Sequence, residues 1–274
     1  MQELAAALAM VLAQVRAQRP LIHYLPNWVT ANDVANSLLA VGASPIMAVA
    51  PEEVAEIQSD ALALNLGTPT AERVAVLELA GRAAAARGRP VTLDPVGAGA
   101  TPFRLTSSRR LLQGVPITIL RLNAGEAAAL LDVDADNPSS ATTAARGVDT
   151  IDSSPDNAGL ARALARRYSC VAAVTGRTDA ISDGQRAVLI DNGHPLLARM
   201  TGAGDMATGV VAACAAVESD ALRAAAAGLL AFGVAGEIAA RCARGPGSLR
   251  PALLDALSNL DTTMLINEGR VRWS

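Results

Sequence analysis

Short apolar runs alternate along this chain with longer stretches of helical spacing, and most runs end on glycine, a carboxylate, an amide or arginine. That order predicts a mostly parallel sheet flanked by helices on both faces, with ligands taken at the carboxyl ends of its strands. The candidate strands are Pro45–Val49, Ala61–Leu66, Val91–Leu93, Pro116–Leu120 and Cys170–Val174. Ala180–Ser182 and Ala187–Ile190, joined through Asp183 and Gly184, read as a hairpin. Ala71–Arg87 and Asn157–Arg167 carry helical periodicity, and Met206–Val217, Ala221–Arg241 and Pro251–Asn259 are three alanine-rich helices that close the fold. The polar stretch Asp132–Asn157 reads as a surface excursion, and no repeat or linker divides residues 1–274, which are expected to form one domain.

Composition removes whole classes of function. A net charge of −3 and a pI near 5.5 provide no basic face for nucleic acid or an anionic membrane. Leu4–Val15 is apolar, but Glu3 precedes it and Arg16 closes it, so it reads as an amphipathic first helix and the cytoplasm is the expected location. Cys170, Cys214 and Cys242 lie far apart in apolar contexts and are expected to be reduced core residues. Two histidines are too few for nitrogen-based metal chemistry, which leaves a hard cation on carboxylates. All 23 basic residues are arginine. Without lysine, a Walker P-loop, a protein-kinase strand lysine and a Schiff base are all excluded.

Residues 201–209 read Thr-Gly-Ala-Gly-Asp-Met-Ala-Thr-Gly. Small residues at a helix start let unpaired backbone N–H groups face an anion closely. Asp205 in the first turn adds a carboxylate able to take a proton, and the pair suits phosphoryl transfer to an alcohol. An ordinary helix-capping turn fits the same residues. Three strand ends point to the same cleft: Asp94 to Ala100, Arg121 to Glu126, and Thr175-Gly176.

Four segments together carry a resemblance. His23 to Asn36 (His-Tyr-Leu-Pro-Asn-Trp-Val-Thr-Ala-Asn-Asp-Val-Ala-Asn), Gly42 to Ala48, Asp94 to Thr101, and Ile181 to Gly184 resemble motifs of hydroxyethylthiazole kinases. Asn192 to Pro195, just before the glycine loop, fits the same pattern, and the match runs in order from about residue 20 to 240. The resemblance implies a ribokinase-like three-layer α/β/α fold, and transfer of a phosphoryl group from ATP, with Mg²⁺, to 4-methyl-5-(2-hydroxyethyl)thiazole in thiamine salvage. It also implies a homotrimer with the substrate pocket between subunits.

Carried over residue by residue, the resemblance makes Asp205 the base for the primary alcohol and the N–H groups of Gly202, Ala203, Gly204 and Asp205 the anion hole. Arg121 is similar to the ATP-binding arginine, Thr175 to a nucleotide contact, and Asn123 and Glu126 to an Asn-x-x-Glu pattern whose Glu orders Mg²⁺. Asp94 is the second carboxylate for the ion. Met47, Gly202, Asn27 and Val29 match the substrate pocket. Each has a plainer reading: Met47 as core packing, Arg121 as an ion-pair residue, Glu126 as a first-turn helix carboxylate, Asp94 as a turn opener. His194 reads as structural, whereas His23 opens the pocket motif.

The chain departs from the resemblance at Asp205, where many members carry cysteine, and at Pro26, where threonine is usual. Leu122, Gly125 and Arg177 also differ. Three alternatives therefore stand beside the thiazole kinase: a kinase of another hydroxymethyl heterocycle such as a pyrimidine or pyridoxal, a same-fold nucleotide-dependent NAD(P)H-hydrate dehydratase, and a non-catalytic ligand sensor.

Overall fold

A computed structural model describes residues 2–132 and 156–274. Among these described residues nine strands form one sheet: β1 (Leu21–Leu25), β2 (Ser44–Ile46), β3 (Ala61–Asn65), β4 (Val91–Asp94), β5 (Ile119–Asn123), β6 (Val171–Thr175), β7 (Asp179–Ser182), β8 (Ala187–Ile190) and β9 (Val271–Trp273). Their spatial order is β2-β1-β3-β4-β5-β6-β7-β8-β9. The first six run parallel and the last three antiparallel.

Side-chain alternation sorts the strands onto two cores. In β3, Ala61 and Ala63 face one cluster while Leu62 and Leu64 face the other. The small residues of the first face admit helices α7 (Ala203–Ala215) and α8 (Ala221–Cys242), joined there by α1 (Gln2–Gln18), α2 (Ala31–Val41), α9 (Pro246–Asn259) and α10 (Thr262–Glu268). The bulkier second face packs α3 (Ala71–Ala86), α4 (Pro102–Gly114), α5 (Ala124–Leu131) and α6 (Asn157–Tyr168). This is the three-layer α/β/α arrangement expected from the alternation.

α8 is long and apolar enough to cross a membrane by length and composition, yet 78% of that window is buried against the protein. Its alanines and glycines let α7 approach closely. A Cβ added at Gly228 would stand 2.7 Å from the Val211 Cα, which is backbone and cannot swing aside. Alanine would gain about 1 kcal/mol of helix propensity, but overpacking costs about 1–3 kcal/mol. Gly228→Ala is therefore expected to lower Tm by several degrees, as measured by thermal unfolding. A Tm at or above wild type would show that the helices separate freely.

Several boundaries differ from the sequence expectation. The strand expected at Pro116–Leu120 begins at Ile119 and runs to Asn123. Pro116 has no N–H to give a ladder, and pairing with β4 starts through Thr118, whose N–H donates to the Val91 carbonyl. Arg121 and Asn123 thus lie on the strand rather than after it, as does Asp94 at the end of β4. β2 stops at Ile46, and its Pro45 is tolerated because this is an edge strand. α9 starts at Pro246 and carries Pro251 inside it. Periodicity does not delimit β1, β9, α2, α4, α5 or α10. Cys170 and Cys214 are buried thiols pushed up to about 12 by burial, but Cys242, at the end of α8, is exposed and not a core residue. Most of the proposed excursion, 133–155, lies outside the described residues.

Candidate active site

The strand ends converge where α7 begins. Gly202 is the N-cap of α7 in the left-handed region, φ +85°, and no side chain caps the helix. A Cβ there would lie 2.6 Å from Thr30 Cγ2, and one at Gly204 would lie 2.6 Å from Arg121 Nη1. Gly202 is needed for its left-handed backbone and for the approach of Thr30, whereas a side chain at Gly204 would displace the tip of Arg121. By contrast α3, α4, α5, α6, α8 and α10 each begin under a side-chain cap. α2 and α9 also start without one, but at α7 the uncapped end adjoins Arg121 and is open to an outside acceptor.

Asp205, in the first turn of α7, is buried and held by three neutral donors. Its Oδ2 accepts from Asn27 Nδ2 at 2.8 Å and from Thr30 Oγ1 at 2.5 Å. Its Oδ1 accepts from Asn65 Nδ2 at 3.0 Å. Thr30 stands at the N-cap of α2 but spends its hydroxyl on Asp205 rather than on its own helix. Tyr24, fully buried on β1, donates its hydroxyl to the Asp205 carbonyl at 3.1 Å. Burial, reinforced by Asp205 and Asp94, pushes the Tyr24 phenol well above its ordinary range, so it stays a neutral donor.

A second group centres on Arg121. Its Nη2 donates to Thr175 Oγ1 at 2.9 Å, and its Nη1 lies 3.5 Å from Asp94 Oδ2. Asp94 also accepts from Thr208 Oγ1 on α7 at 2.8 Å. Glu126 and Asn123 form a reciprocal capping box at the start of α5. The Glu126 Oε2 accepts the Asn123 N–H at 2.9 Å, and Oε1 accepts the Gly97 N–H at 2.7 Å. Burial raises the Glu126 carboxyl, which the Asn123 and Gly97 N–H groups and Arg121 counteract. Arg121 thus opposes the rise at two buried carboxylates, Asp94 and Glu126, and the nearby Asp205 adds to it at both.

Asp94 shows the cost. Burial pushes its carboxyl up to about 7, with Arg121 opposing and Asp205 and Glu126 adding to the rise. An unfolded aspartate titrates near ~3.9, so between roughly pH 4 and 7 the native state binds a proton the unfolded chain does not. The stability from this group is full below about pH 4 and is lost as pH rises through about 7. Asp94→Asn is therefore expected to melt above wild type at pH 8 without divalent ions, by about 2–4 °C per kcal/mol regained. The gap should close toward pH 4. An Asn variant less stable than wild type at pH 8 would show that Asp94 is held charged by its partners.

Among the residues expected at the site, Asp205, Gly202, Ala203, Gly204, Asn27, Arg121, Thr175 and Asp94 share one end of the sheet with Asn123 and Glu126. Val29 is tied in by its N–H to Asn27 Oδ1 at 2.9 Å, but its side chain is 63% exposed. Met47 follows edge strand β2, half-buried against the core, and joins no hydrogen bond of the cluster. His23 lies 2.8 Å from the Ala48 carbonyl through Nε2. A carbonyl only accepts, so Nε2 carries the proton, and burial lowers the ring's pKa: this histidine is a neutral brace. His194 accepts the Leu196 N–H at 3.2 Å and caps a 3₁₀ turn, as a structural residue would.

Asn65, Thr30, Tyr24 and Thr208 join the site beyond the residues the sequence points to. Asn65 carried a usable signal, since it ends the run Ala61–Leu64 in the same way Asp94 ends its own. A separate concavity, lined by Arg89, Pro90, Pro116, Thr118 and Glu218, opens at the amino ends of β4 and β5, away from this chemistry.

Comparison with known proteins gives a consistent result. The model of the hydroxyethylthiazole kinase family matches residues 12–263. A hydroxyethylthiazole kinase of Herpetosiphon aurantiacus is 46% identical over 259 residues, covering 94% of this chain and 92% of the relative. The solved hydroxyethylthiazole kinase of Pyrococcus horikoshii superposes with a TM-score of 0.87 at 36% identity, over 97% of this chain and 98% of that one. A pyridoxal kinase of Staphylococcus aureus, solved with AMP-PCP and pyridoxal, shares the fold at a TM-score of 0.63 and 14% identity, over 93% and 98% of the two chains.

Proposed function

The chain belongs to the hydroxyethylthiazole kinase family, and on that premise we propose that it transfers the γ-phosphoryl group of ATP, with Mg²⁺, to the primary alcohol of 4-methyl-5-(2-hydroxyethyl)thiazole for thiamine salvage. The observation that carries the chemistry is the placement of Asp205 in the first turn of α7, with three neutral donors on its carboxylate. Oδ2 accepts two donors and Oδ1 one, so Oδ1 is the oxygen with room for the substrate hydroxyl. The hydroxyl oxygen attacks the γ-phosphorus, its proton passes to Asp205 Oδ1, and the bond from phosphorus to the bridging oxygen of ADP breaks. The N–H groups of Gly202, Ala203, Gly204 and Asp205 and the Arg121 guanidinium stabilise the charge spread over the equatorial oxygens. Thr175 orients Arg121 and contacts the nucleotide; Asn123 fixes Glu126 through the capping box.

The donor set suits a water-shelled Mg²⁺. Both Glu126 oxygens already accept backbone N–H groups, and Asp94 already accepts from Thr208. Such carboxylates reach a cation most readily through its water, and Mg²⁺ keeps several waters. When bound, the ion would neutralise charge on the β- and γ-phosphates.

Asn27, Val29, Met47 and Gly202 are assigned to the thiazole pocket. The exposed Trp28 and Val29 beside it, 71% and 63% accessible, support a homotrimer that covers the pocket from a neighbouring subunit. We place the enzyme in the cytoplasm. The pyridoxal alternative has only the shared fold in its favour, and fold does not carry substrate.

ADP release with Mg-ATP, with and without the thiazole, tests the reading. Thiazole-dependent ADP and a product heavier by one phosphoryl group are expected. ADP at background with the thiazole, but raised by pyridoxal or a hydroxymethylpyrimidine, would replace the substrate.

A further inference from the structure

We propose that Arg73 is a positioning residue for the catalytic base: its guanidinium ties the ends of β1 and β3 together, so that Asn27 and Asn65 present their amides to Asp205. The proposal rests on the reading of Asp205 as the base. Arg73 stands in the first turn of α3, on the opposite face of the sheet from α7. Its Nη2 donates to the Leu25 carbonyl at 3.3 Å, to the Asn65 carbonyl at 3.2 Å, and to the Pro26 carbonyl. All three acceptors are main-chain oxygens, and they flank or belong to the two asparagines that hold Asp205.

Those asparagines also hold each other. Asn27 Nδ2 donates to Asn65 Oδ1 at 3.0 Å as well as to Asp205. Asn65 Oδ1 further accepts the Gly67 N–H at 2.8 Å. The amide of Asn65 is thereby oriented, with Nδ2 turned to Asp205. Pro26 has no N–H, so the Leu25–Pro26 peptide unit can be held only through the Leu25 carbonyl. Arg73 supplies that hold. An arginine that merely stitched α3 to the surface would find its acceptors in neighbouring helices or in solvent.

Trp28, the next residue but one, covers the tie. Its ring lies with the Arg73 guanidinium carbon 5.9 Å from the centroid, within cation–π range, while the indole is 71% exposed. Trp28 is one of two tryptophans, the other being Trp273 on β9, so its emission reports on the tie without reference to turnover. All three bonds leave one nitrogen, so a lysine ammonium could serve the carbonyls in part, but it has no planar face to lie over the Trp28 ring.

The test compares Arg73→Met and Arg73→Lys with wild type in the full-length enzyme, with Trp28→Phe to assign the emission. Arg73→Met is expected to lower kcat about 10–100-fold, as a small misplacement of a reacting group does. The KM for ATP should stay within twofold, and the Trp28 emission of the free enzyme should change. Arg73→Lys should fall between the two in kcat. A thermal melt establishes that each variant is folded at the assay temperature.

Unchanged Trp28 emission in Arg73→Met would overturn the tie itself. Changed emission with kcat within twofold of wild type would overturn its transmission to Asp205. A parallel loss of kcat and ATP affinity, not relieved by lysine, would overturn it in favour of a general structural role. Wild-type enzyme lacking thiazole-dependent turnover would refute the proposed function alone, and the emission would still decide the tie.

Discussion

Replacing Asp205 by asparagine is expected to lower kcat by about 10²–10⁴-fold, the usual contribution of a general base, while ATP binding measured by titration stays within a few-fold. The nucleotide is assigned to Arg121, Thr175 and the amino end of α7, none of which needs the Asp205 charge to bind it. The local hydrogen bonds set a second expectation. An asparagine amide placed toward Asn65 Nδ2 sets donor against donor, and one placed toward Asn27 and Thr30 meets two donors. Asn65 cannot flip freely to relieve this, because its Oδ1 already accepts from Asn27 and from the Gly67 N–H. Asp205→Asn should therefore also lose about 1–3 kcal/mol of stability, the cost of a buried polar group without its partner. Turnover within fivefold of wild type in a folded variant would remove Asp205 from the role of base.

The sequence exposed the parts of this site that lie on one strand end or one loop, and hid the parts that exist only across the sheet. Asp94, Arg121, Asn123 and Glu126 could be found because each ends or follows an apolar run, where ligands collect in an open parallel sheet. The loop around Gly202 and Gly204 announced itself by composition. Thr30 did not, and Asn65, though it ends an apolar run, gains its role only from the pairing of β1 with β3 and from α7 packing beneath both. Periodicity likewise found the buried interior strands but not Leu21–Leu25, whose residues read equally well as a motif, nor Val271–Trp273 at the sheet's edge. Strand ends moved by up to three residues where proline denied a ladder hydrogen bond, as at Pro116. What Asp94, Asp205 and Glu126 mean together is electrostatic, and no spacing rule announces it.

That charge arrangement makes Arg121→Met the second large effect. Asp94 and Glu126 share Arg121 as a common countercharge, and Asp94, raised to about 7, carries its charge at pH 8. Removing one partner of a buried pair costs about 3–5 kcal/mol, because the charge left behind is uncompensated. The same guanidinium packs against Gly204 and bonds Thr175, the two places where the nucleotide's phosphates are assigned. Arg121→Met should thus lower Tm at pH 8, and recover part of that loss toward pH 5 as Asp94 takes a proton. It should also cut kcat/KM for ATP by about 10²–10³-fold, the scale of losing one preorganised donor to the transition state. Arg121→Lys separates the two roles. It keeps the countercharge and so most of the stability, but it loses the fork that reaches Asp94 and Thr175 at once, and its turnover should stay well below wild type. If Arg121→Lys restored both Tm and turnover, the residue would be a countercharge only, and the phosphate contact would have to be sought elsewhere on the amino end of α7.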